Sequence, residues 1–437
     1  MEIVYSVYDV MLYLLIYGLA GWVIEVCVQA FVNRRLASRG FLSLPLSLRF
    51  GMAAVAAMLI LPTLRDNLLL AYLMCLIIWR VVCSLNLFFV RRAGRVEGTD
   101  MPLASDWQDV LASAVAAGVL LTGELVVHPL VHAVRLLIPE PVVRAAAVAG
   151  AALVFLDLLY VVHFLRTRKT TPRQDAQMDA SDKLEERICS GIERRLERAY
   201  PGILSGRKDE SGPVFAQGVC LDKLLWVFLV SSFLGALIEM VYCRLMGGVW
   251  MNRSSVLYGA FSFVWGFGAV LLTITLQHVA DKPIWYAFGV GFFVGGAYEY
   301  GCSVFTERAF GMVFWDYSGI PLNIGGRTNA LYCVFWGALA VLWIKALYPL
   351  MSRGIERIPL LPGKILTWTL AFAMACNGIL TCAAMIRHSG RQSDPGEPNA
   401  ITQFLDTRYD DAWMEERWPN MAFVGAIALD APAGEMP

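Results

Sequence analysis

Apolar residues occupy most of this chain in long blocks, which short polar or basic segments separate. About 20 apolar helical residues cross a hydrocarbon core about 30 Å thick, and the blocks have roughly this length. We therefore predict an all-α polytopic membrane protein with about ten transmembrane helices. The predicted spans are Tyr8–Phe31, Phe41–Leu61, Leu68–Val90, Val110–Val131, Val142–Phe164, Leu221–Leu245, Val256–Val279, Trp285–Phe305, Leu331–Leu350 and Ile365–Ile386.

The fourth span contains polar residues at its end: Glu124, His128, Pro129 and His132. We expect this span to be tilted or partly re-entrant. The carboxylate and the two imidazoles share a helical face at a spacing that suits a metal ion. Polarity at a membrane interface is the commoner reason for such residues at the end of a span. We therefore predict no metal site, and no cofactor for the chain.

The chain contains one membrane unit twice. Gly21-Trp22-Val23-Ile24-Glu25 and Gly235-Ala236-Leu237-Ile238-Glu239 are each followed, fourteen residues after the Glu, by an arginine, Arg39 or Arg253. Phe50-Gly51 also matches Trp265-Gly266, and Cys83-Ser84 matches Cys302-Ser303. Five spans per unit is an odd number, so we predict that the two units have opposite orientations in the membrane, as in many transporters.

This repeat divides the chain into four predicted parts. Residues 1–165 form a degenerate first membrane repeat, 166–222 a charged cytosolic linker, 223–386 the second membrane repeat and 387–437 a polar C-terminal tail. Within the linker, residues 181–200 resemble an amphipathic helix with apolar residues at every fourth position. Its stripe consists of Leu184, Ile188, Ile192 and Leu196. The helix either lies on the bundle or membrane surface or docks a cytosolic ATPase subunit.

The distribution of charge predicts the orientation of a protein that crosses the lipid bilayer several times. The arginines after spans one and three and the basic start of the linker all fall on one side of the membrane. By the positive-inside rule this side is the cytoplasm, which puts the N-terminus outside. The bias is weak in the second unit, where Arg244, Arg253, Arg308 and Arg327 would lie outside. With a formal net charge of zero, the chain has no basic surface typical of nucleic-acid binding.

Three carboxylates lie inside apolar spans: Glu25, Glu239 and Glu299. Each follows a glycine by one helical turn, so a neighbouring helix can come close to it. Insertion of such a charge costs roughly 2.5–3.5 kcal/mol, which makes each Glu a candidate for substrate binding. The alternative is a buried pair that only fixes helix packing. Arg80 occupies the place of Glu299 in the first unit and is a candidate structural partner for one of these carboxylates.

The segment after span eight carries the second group of candidates. It combines acids, bases, an amide and several glycines in one short loop, at Glu307, Trp315, Asp316, Tyr317, Asn323 and Arg327. Trp and Tyr at the end of a span are typical of an interfacial belt, and Asp-Tyr-Ser-Gly is typical turn sequence. A polar loop can also line a cavity inside a membrane protein. We expect this loop to fold back onto its own unit and reach Glu239 or Glu299, so that Asp316 and Arg327 could gate or bind a charged solute.

The second unit resembles the bacterial CmpB-type, or type IV, ABC-transporter permease family. The resemblance rests on Glu239, on Glu299 and Glu307, and on the run Trp315-Asp316-Tyr317-Ser318 with Pro321, Asn323, Gly326 and Arg327. It also includes Asn252-Arg253, Trp336-Gly337 and a tail from Tyr409 to Phe423. The first unit is similar to a degenerate copy without the Trp-Asp-Tyr-Ser loop. The resemblance implies a multi-pass permease of the bacterial plasma membrane and makes Asn252 and Arg253 further candidates for substrate binding.

The leading functional interpretation is an integral membrane permease driven by a separate ATPase or by an ion gradient. The chain carries no G-x-x-x-x-G-K-[ST] phosphate loop and no H-E-x-x-H motif, and we assign no catalytic residue to it. The alternative is a non-transporting membrane scaffold or an intramembrane enzyme of envelope or lipid metabolism. The sequence does not decide between them.

Overall fold

The computed structural model describes residues 5–33, 40–94, 107–167, 190–197, 200, 214–393 and 399–423, and most of these residues are helical. The chain divides into unit 1, Met1–Glu210, and unit 2, Ser211–Pro437. Unit 1 contains α1 Val7–Asn33, α2 Leu48–Ile60 with a 3₁₀ turn Leu61–Leu64, α3 Leu68–Gly94, α4 Trp107–Thr122, a π-helical turn Gly123–Val127, α5 His128–Leu136, α6 Glu140–Thr167 and a short helix α7 at 190–197.

Unit 2 repeats this order of helices and adds small strands and a C-terminal pair of helices. Its elements are α8 Leu221–Gly247, α9 Phe263–Leu276, α10 Ile284–Phe310, α11 Ala330–Leu342, a π-helical turn Trp343–Leu347, α12 Tyr348–Glu356, α13 Leu360–Ser393, α14 Ala400–Arg408 and α15 Asp411–Arg417. Strand β1 Met312–Val313 pairs with β4 Ala422–Phe423, and β2 Asn323–Ile324 pairs with β3 Thr328–Asn329.

The prediction of an all-α polytopic membrane protein is confirmed. Among the described residues, seven helices are long and apolar enough to cross a membrane, and Leu48–Leu64 and Phe263–Leu276 are shorter apolar helices. Together with α10, which has 27 residues, these helices account for each of the ten predicted spans. The fourth span is a continuous helix that widens into a π turn, so it is not re-entrant within the described residues.

Two predicted spans start later than expected. The second was predicted from Phe41 and the seventh from Val256, but α2 begins at Leu48 and α9 at Phe263. In both, the preceding residues run as non-helical backbone. A helix of thirteen residues is only about 20 Å long at 1.5 Å per residue, so α2 is shorter than a bilayer's hydrocarbon core. Each unit therefore contains one short helix preceded by a non-helical segment.

The helix of the fifth span in each unit, α6 or α13, binds this non-helical segment. In unit 1, Asp157 of α6 accepts hydrogen bonds from the backbone N–H groups of Ser43 (2.7 Å) and Leu44 (3.0 Å). In unit 2, Asn377 of α13 accepts from the N–H of Tyr258 (3.3 Å) and donates to its carbonyl (2.8 Å). These side chains satisfy backbone groups that the broken helix leaves without helical partners.

Glycines set the closest helix crossing in the same way in both units. A Cβ added to Gly21 of α1 would lie 2.4 Å from Phe50 of α2, and one on Gly235 of α8 would lie 2.2 Å from Trp265 of α9. On α10, a Cβ on Gly295 would lie 2.4 Å from Trp336 of α11. The glycine one turn before each buried Glu therefore receives an aromatic side chain of the next helix, as the sequence predicted.

The π turns are a further shared feature. Pro129 and Pro349 each lie two residues after a π turn, at Gly123–Val127 and Trp343–Leu347. Proline has no N–H and its ring collides with the carbonyl four residues earlier, so the preceding turn widens. The match of breaks, crossings and π turns confirms the internal repeat.

Only part of the predicted linker, 166–222, lies within the described residues. The start of the predicted helix 181–200, with Leu184 and Ile188 of its stripe, falls outside them. The described turns of this helix form α7, where Ile192 and Leu196 are buried against Val90 of α3 and Phe164 of α6. The described half of the apolar stripe thus packs on its own unit.

The C-terminal region folds back onto unit 2. Helix α13 continues to Ser393, past the predicted end of span ten at Ile386. Arg387 forms a two-bonded ion pair with Asp406, and Arg391 bridges Asp406 and Asp411. Hydrogen bonds from Arg387 and Arg391 hold the pKa of Asp406 down to about 2. The residues from Ala400 to Phe423 are therefore a packed part of the unit.

We predict that Gly295→Ala lowers the free energy of unfolding by about 1–3 kcal/mol, because the new methyl group collides with Trp336. Gly289→Ala is the matched control: it lies on the same helix, and a Cβ there meets nothing within 4 Å. The control is expected to be neutral or to stabilise by up to about 1 kcal/mol. Thermal unfolding of both variants in one detergent measures the difference; equal stabilities would contradict the close crossing.

Opposite orientation of the two units remains a prediction, and the turns before Pro139 and Pro359 allow a test. Leu137 and Arg357 are both exposed and occupy corresponding places. Five membrane crossings between them would put Leu137→Cys and Arg357→Cys on opposite sides. A membrane-impermeant thiol reagent applied to intact cells of a strain whose protein lacks reactive native thiols should label one of them. Labelling of both would show parallel units.

Candidate functional site

Glu25 and Glu239 occupy corresponding positions and both bind an arginine. Glu25 accepts hydrogen bonds from the Ser47 hydroxyl (2.7 Å) and from Nε of Arg49 (3.0 Å). Ser47 is the N-cap residue of α2, so Glu25 lies beside the start of this short helix. This arrangement neutralises Glu25 with groups of its own unit.

Glu239 has different donors at the corresponding place in unit 2. Its carboxylate accepts from the indole N–H of Trp265 (3.0 Å) and from Nε of Arg253 (3.3 Å). Trp265 thereby packs on Gly235 and binds Glu239, whereas Phe50 in unit 1 packs on Gly21 without a polar group. About 31% of the Glu239 side chain is exposed, compared with 15% for Glu25, so Glu239 is the more accessible carboxylate.

The loop after α10 is a hydrogen-bonded hairpin. The backbone N–H of Tyr317 donates to the carbonyl of Gly326 (2.7 Å), and the indole of Trp315 donates to the carbonyl of Arg327 (2.9 Å). Asn323 closes the turn by donating to the carbonyl of Ile320 (2.8 Å) and accepting from the N–H of Gly326 (3.0 Å). Trp315 and Asn323 therefore stabilise the shape of the loop.

This loop reaches Glu299, which confirms the prediction that it folds back onto its own unit. The hydroxyl of Tyr317 donates to one oxygen of Glu299 (3.0 Å), and the hydroxyl of Thr328 donates to the other (2.8 Å). The Tyr317 ring stacks on Tyr332 of α11 with ring centroids 4.6 Å apart. Burial raises the pKa of the Tyr317 phenol above its usual range, so this hydroxyl keeps its proton and acts as a donor.

Glu299 differs from the other two carboxylates in its partners. It is 9% exposed, and among the described residues it forms no ion pair. Its hydrogen-bond donors are neutral groups: the hydroxyls of Tyr317 and Thr328, and the indole of Trp336. A buried carboxylate with neutral donors alone is costly to ionise, so it suits a proton or a bound cation.

The charged residues of the loop pair elsewhere. Arg327 forms an ion pair with Glu307 of α10, donates to the hydroxyl of Ser303 (3.1 Å) and lies over the Tyr300 ring. Asp316 instead accepts from the N–H (2.9 Å) and hydroxyl (2.6 Å) of Ser318, a local turn contact. Arg327 and Glu307 thus tie the base of the loop to α10, while Asp316 shapes the turn.

The remaining candidates lie apart from Glu299. Asn252 donates to the carbonyl of Arg417 (2.8 Å), so it anchors the C-terminal region rather than the loop. Arg80 donates to Ser113 of α4 (3.3 Å) within its own unit. Its pairing with a carboxylate remains a prediction, as does substrate binding by the candidate residues.

Sequence reasoning missed Thr328, Tyr332 and Ser303. Thr328 is one residue beyond the Gly-Gly-Arg run and has no periodic signal of its own. Its role follows from the β2–β3 pairing, which turns it back toward α10. Within the described residues, no group of three His, Cys, Asp or Glu side chains has an arrangement that could hold a metal ion.

Comparison with known families agrees with this architecture. The family model described as "Putative ABC-transporter type IV" matches residues 12–91 and 226–382, which together are more than half of the chain. The first match covers α1 to most of α3, and the second runs from α8 into α13 and includes the hairpin. Neither the search of curated proteins nor that of solved structures gives a match. The chain belongs to this CmpB-type, type IV ABC-transporter family and is a multi-pass membrane protein.

Proposed function

We propose that this chain is a permease of the bacterial plasma membrane and that Glu299 binds a proton or a small cation during transport. The observation that carries the proposal is the buried Glu299 carboxyl with neutral hydroxyl donors at both oxygens. An ionisable residue of this kind inside an apolar helix is a functional-site hypothesis by default. The non-helical segments before the short helices α2 and α9 add irregular backbone within apolar sequence, which membrane proteins tolerate where it is buried in protein or lines a cavity.

Glu25 and Glu239 support this choice by contrast. Each lies beside an arginine, at 3.0 Å and 3.3 Å, so its charge is already compensated. Removal of that charge would leave an arginine without its partner. Glu299 has no such partner among the described residues, and a proton or cation can fill the role that Arg49 and Arg253 fill elsewhere. Of the three carboxyls, Glu299 is therefore the one that can bind or release a proton or cation without the loss of an ion pair within the described residues.

The hairpin 311–329 is the proposed cover of this site. Its internal hydrogen bonds make it a stiff unit, and the left-handed Gly311 (φ 68°) joins it to α10. Tyr317 and Thr328 lie on opposite arms of the hairpin and hold one oxygen of Glu299 each. Withdrawal of the hairpin would remove both donors at once, so the affinity of Glu299 for a proton or cation would depend on hairpin position.

The energy source is a separate ATPase subunit or an ion gradient. An ATPase subunit that docks on residues 181–200 would contact the polar side of α7, because Ile192 and Leu196 are buried against unit 1. Binding of a cation at Glu299 fits an ion gradient. A scaffold or intramembrane enzyme would use the same carboxyl only to lock α10 to the hairpin.

We expect Glu299→Gln to abolish transport at unchanged membrane levels, because it keeps the shape and removes the charge. Cells that make wild type, Glu299→Gln or no protein are compared by mass spectrometry of their growth medium. Wild type should change the level of at least one solute at least about tenfold relative to cells without the protein. With Glu299→Gln, the level of that solute should be close to the level in cells without the protein. Wild type identical to the empty strain would contradict transport.

Glu239→Gln is the matched control, since it removes a carboxylate from the same unit that already has an arginine partner. Its stability should fall, because Arg253 loses its partner. The thermal unfolding temperature of the wild type in detergent should depend on pH and on added Na⁺, and Glu299→Gln should remove this dependence. A Glu299→Gln variant with the dependence of the wild type would exclude Glu299 as the binding site.

A further inference from the structure

A second buried polar cluster lies in unit 1. Its two histidines and Tyr5 lie outside the residues that the family model matches, whereas Tyr13 and Tyr17 lie within them. His128 begins α5 directly after the π turn and is 2% exposed. Its Nδ1 is 2.6 Å from the hydroxyl of Tyr17, and its Nε2 is 2.7 Å from the hydroxyl of Tyr5. Both ring nitrogens of a buried imidazole thus meet groups that can either donate or accept a hydrogen bond.

The cluster continues to a less buried histidine one turn later. Nδ1 of His132 is 2.7 Å from the hydroxyl of Tyr13, and His132 is partly exposed. The ring of Tyr5 lies edge-on to both imidazoles, with centroids 5.5 Å from each. Tyr5 is also partly exposed, so the cluster leads from accessible groups to the fully enclosed pair of His128 and Tyr17.

The nearby carboxylates are already compensated. Asp9 of α1 forms an ion pair with Arg135 of α5, and the Glu124 carboxylate lies 3.6 Å from Arg65, which follows the 3₁₀ turn. Titratable and charged groups face the cluster from α1, the 3₁₀ turn, α3, α6 and its own helix. They are Tyr5, Asp9, Tyr13, Tyr17, Arg65, Cys75, Glu124, His132 and Arg135, together with Glu140, which shares Arg135 with Asp9, and its second partner Arg144. With neutral imidazoles and phenols, these charges sum to zero.

We propose that His128 is a proton-binding site of unit 1, in which Tyr5 and Tyr17 share the added proton. In the neutral state one ring nitrogen accepts from a tyrosine and the other donates to the second tyrosine. Water gives a proton to the hydroxyl of the partly exposed Tyr5 while this hydroxyl passes its own proton to Nε2 of His128, which becomes an imidazolium. Both N–H groups of the ring then donate to the two tyrosine hydroxyls. The bonds to a charged donor are stronger than those to a neutral one and offset part of the cost of the buried charge.

Unit 2 lacks these groups at the corresponding positions. Alignment on the paired Glu residues puts Val219, Val227 and Ser231 in the places of the three tyrosines, and alignment on the prolines puts Tyr348 and Ser352 in the places of the histidines. The shared scaffold therefore does not require the cluster. The proton site belongs to unit 1 alone, and it does not depend on the function proposed for Glu299.

Solid-state ¹⁵N NMR tests the proposal directly, because the chain has only five histidines. The protein is labelled at histidine, reconstituted in lipid vesicles and measured from about pH 3 to about pH 8, because burial of an imidazole favours its neutral form. The resonances of His128 are identified by their absence in His128→Gln. We expect them to convert reversibly from one protonated and one bare ring nitrogen to an imidazolium as pH falls. A His128 that remains neutral over the whole range would overturn the proposal.

Tyr17→Phe and Tyr5→Phe each remove one acceptor of the imidazolium and should lower the midpoint of this conversion by about one pH unit. Tyr5 precedes α1, so its variant remains informative if Tyr17→Phe fails to fold. His163→Gln, which changes an exposed histidine of α6, is the control and should leave the midpoint unchanged. A midpoint that neither Phe variant moves would show that the tyrosines do not share the proton.

Discussion

Most of this structure depends on one constraint: a backbone that leaves the helix inside an apolar bundle must find its hydrogen-bond partners within the protein. The backbone before α2 and α9 finds these partners in polar side chains of the fifth span of its unit: Asp157 of α6 and Asn377 of α13. Because these contacts hold the breaks in place, both short helices start inside their unit, at the buried Ser47 and Ser262. The first helix of each unit then presents its Glu beside the second.

The two units keep this geometry but supply it with different chemistry. The carboxylate Asp157 accepts only, whereas the amide Asn377 both donates and accepts at one residue, Tyr258. In both units an ion pair joins the first helix to the end of the fourth span, but the acidic and the basic residue have exchanged places. It is Asp9 with Arg135 in unit 1 and the fully buried Lys223 with Glu356 in unit 2. These places require compensated charge, and either order of the two charges provides it.

The sequence was sufficient for the class of fold, the ten helices and the repeat, because periodic apolar blocks and fixed Gly-to-Glu spacings report directly on helix packing. The sequence was insufficient to predict the non-helical segments before α2 and α9. Phe41–Leu61 reads as one apolar run, and only the contacts of Asp157, more than a hundred residues later, show that its first part is not helical. Position 299 was identified as a candidate, but its donors Tyr317 and Thr328 depend on how the hairpin closes, and no local pattern encodes that.

The missing loop of unit 1 is consistent with its residue at the place of Glu299. Cys83-Ser84 and Cys302-Ser303 align Arg80 with that carboxyl, and unit 1 has no Trp-Asp-Tyr-Ser segment to supply a tyrosine and a threonine. A carboxylate at position 80 would lack the two hydroxyl donors that Glu299 receives, and its burial would then cost the full desolvation penalty. An arginine has no need of those donors, and Arg80 donates to Ser113 of the neighbouring helix instead. The two differences between the units therefore go together: Glu299 occurs with a loop that supplies its donors, and Arg80 occurs beside a helix that supplies its acceptor.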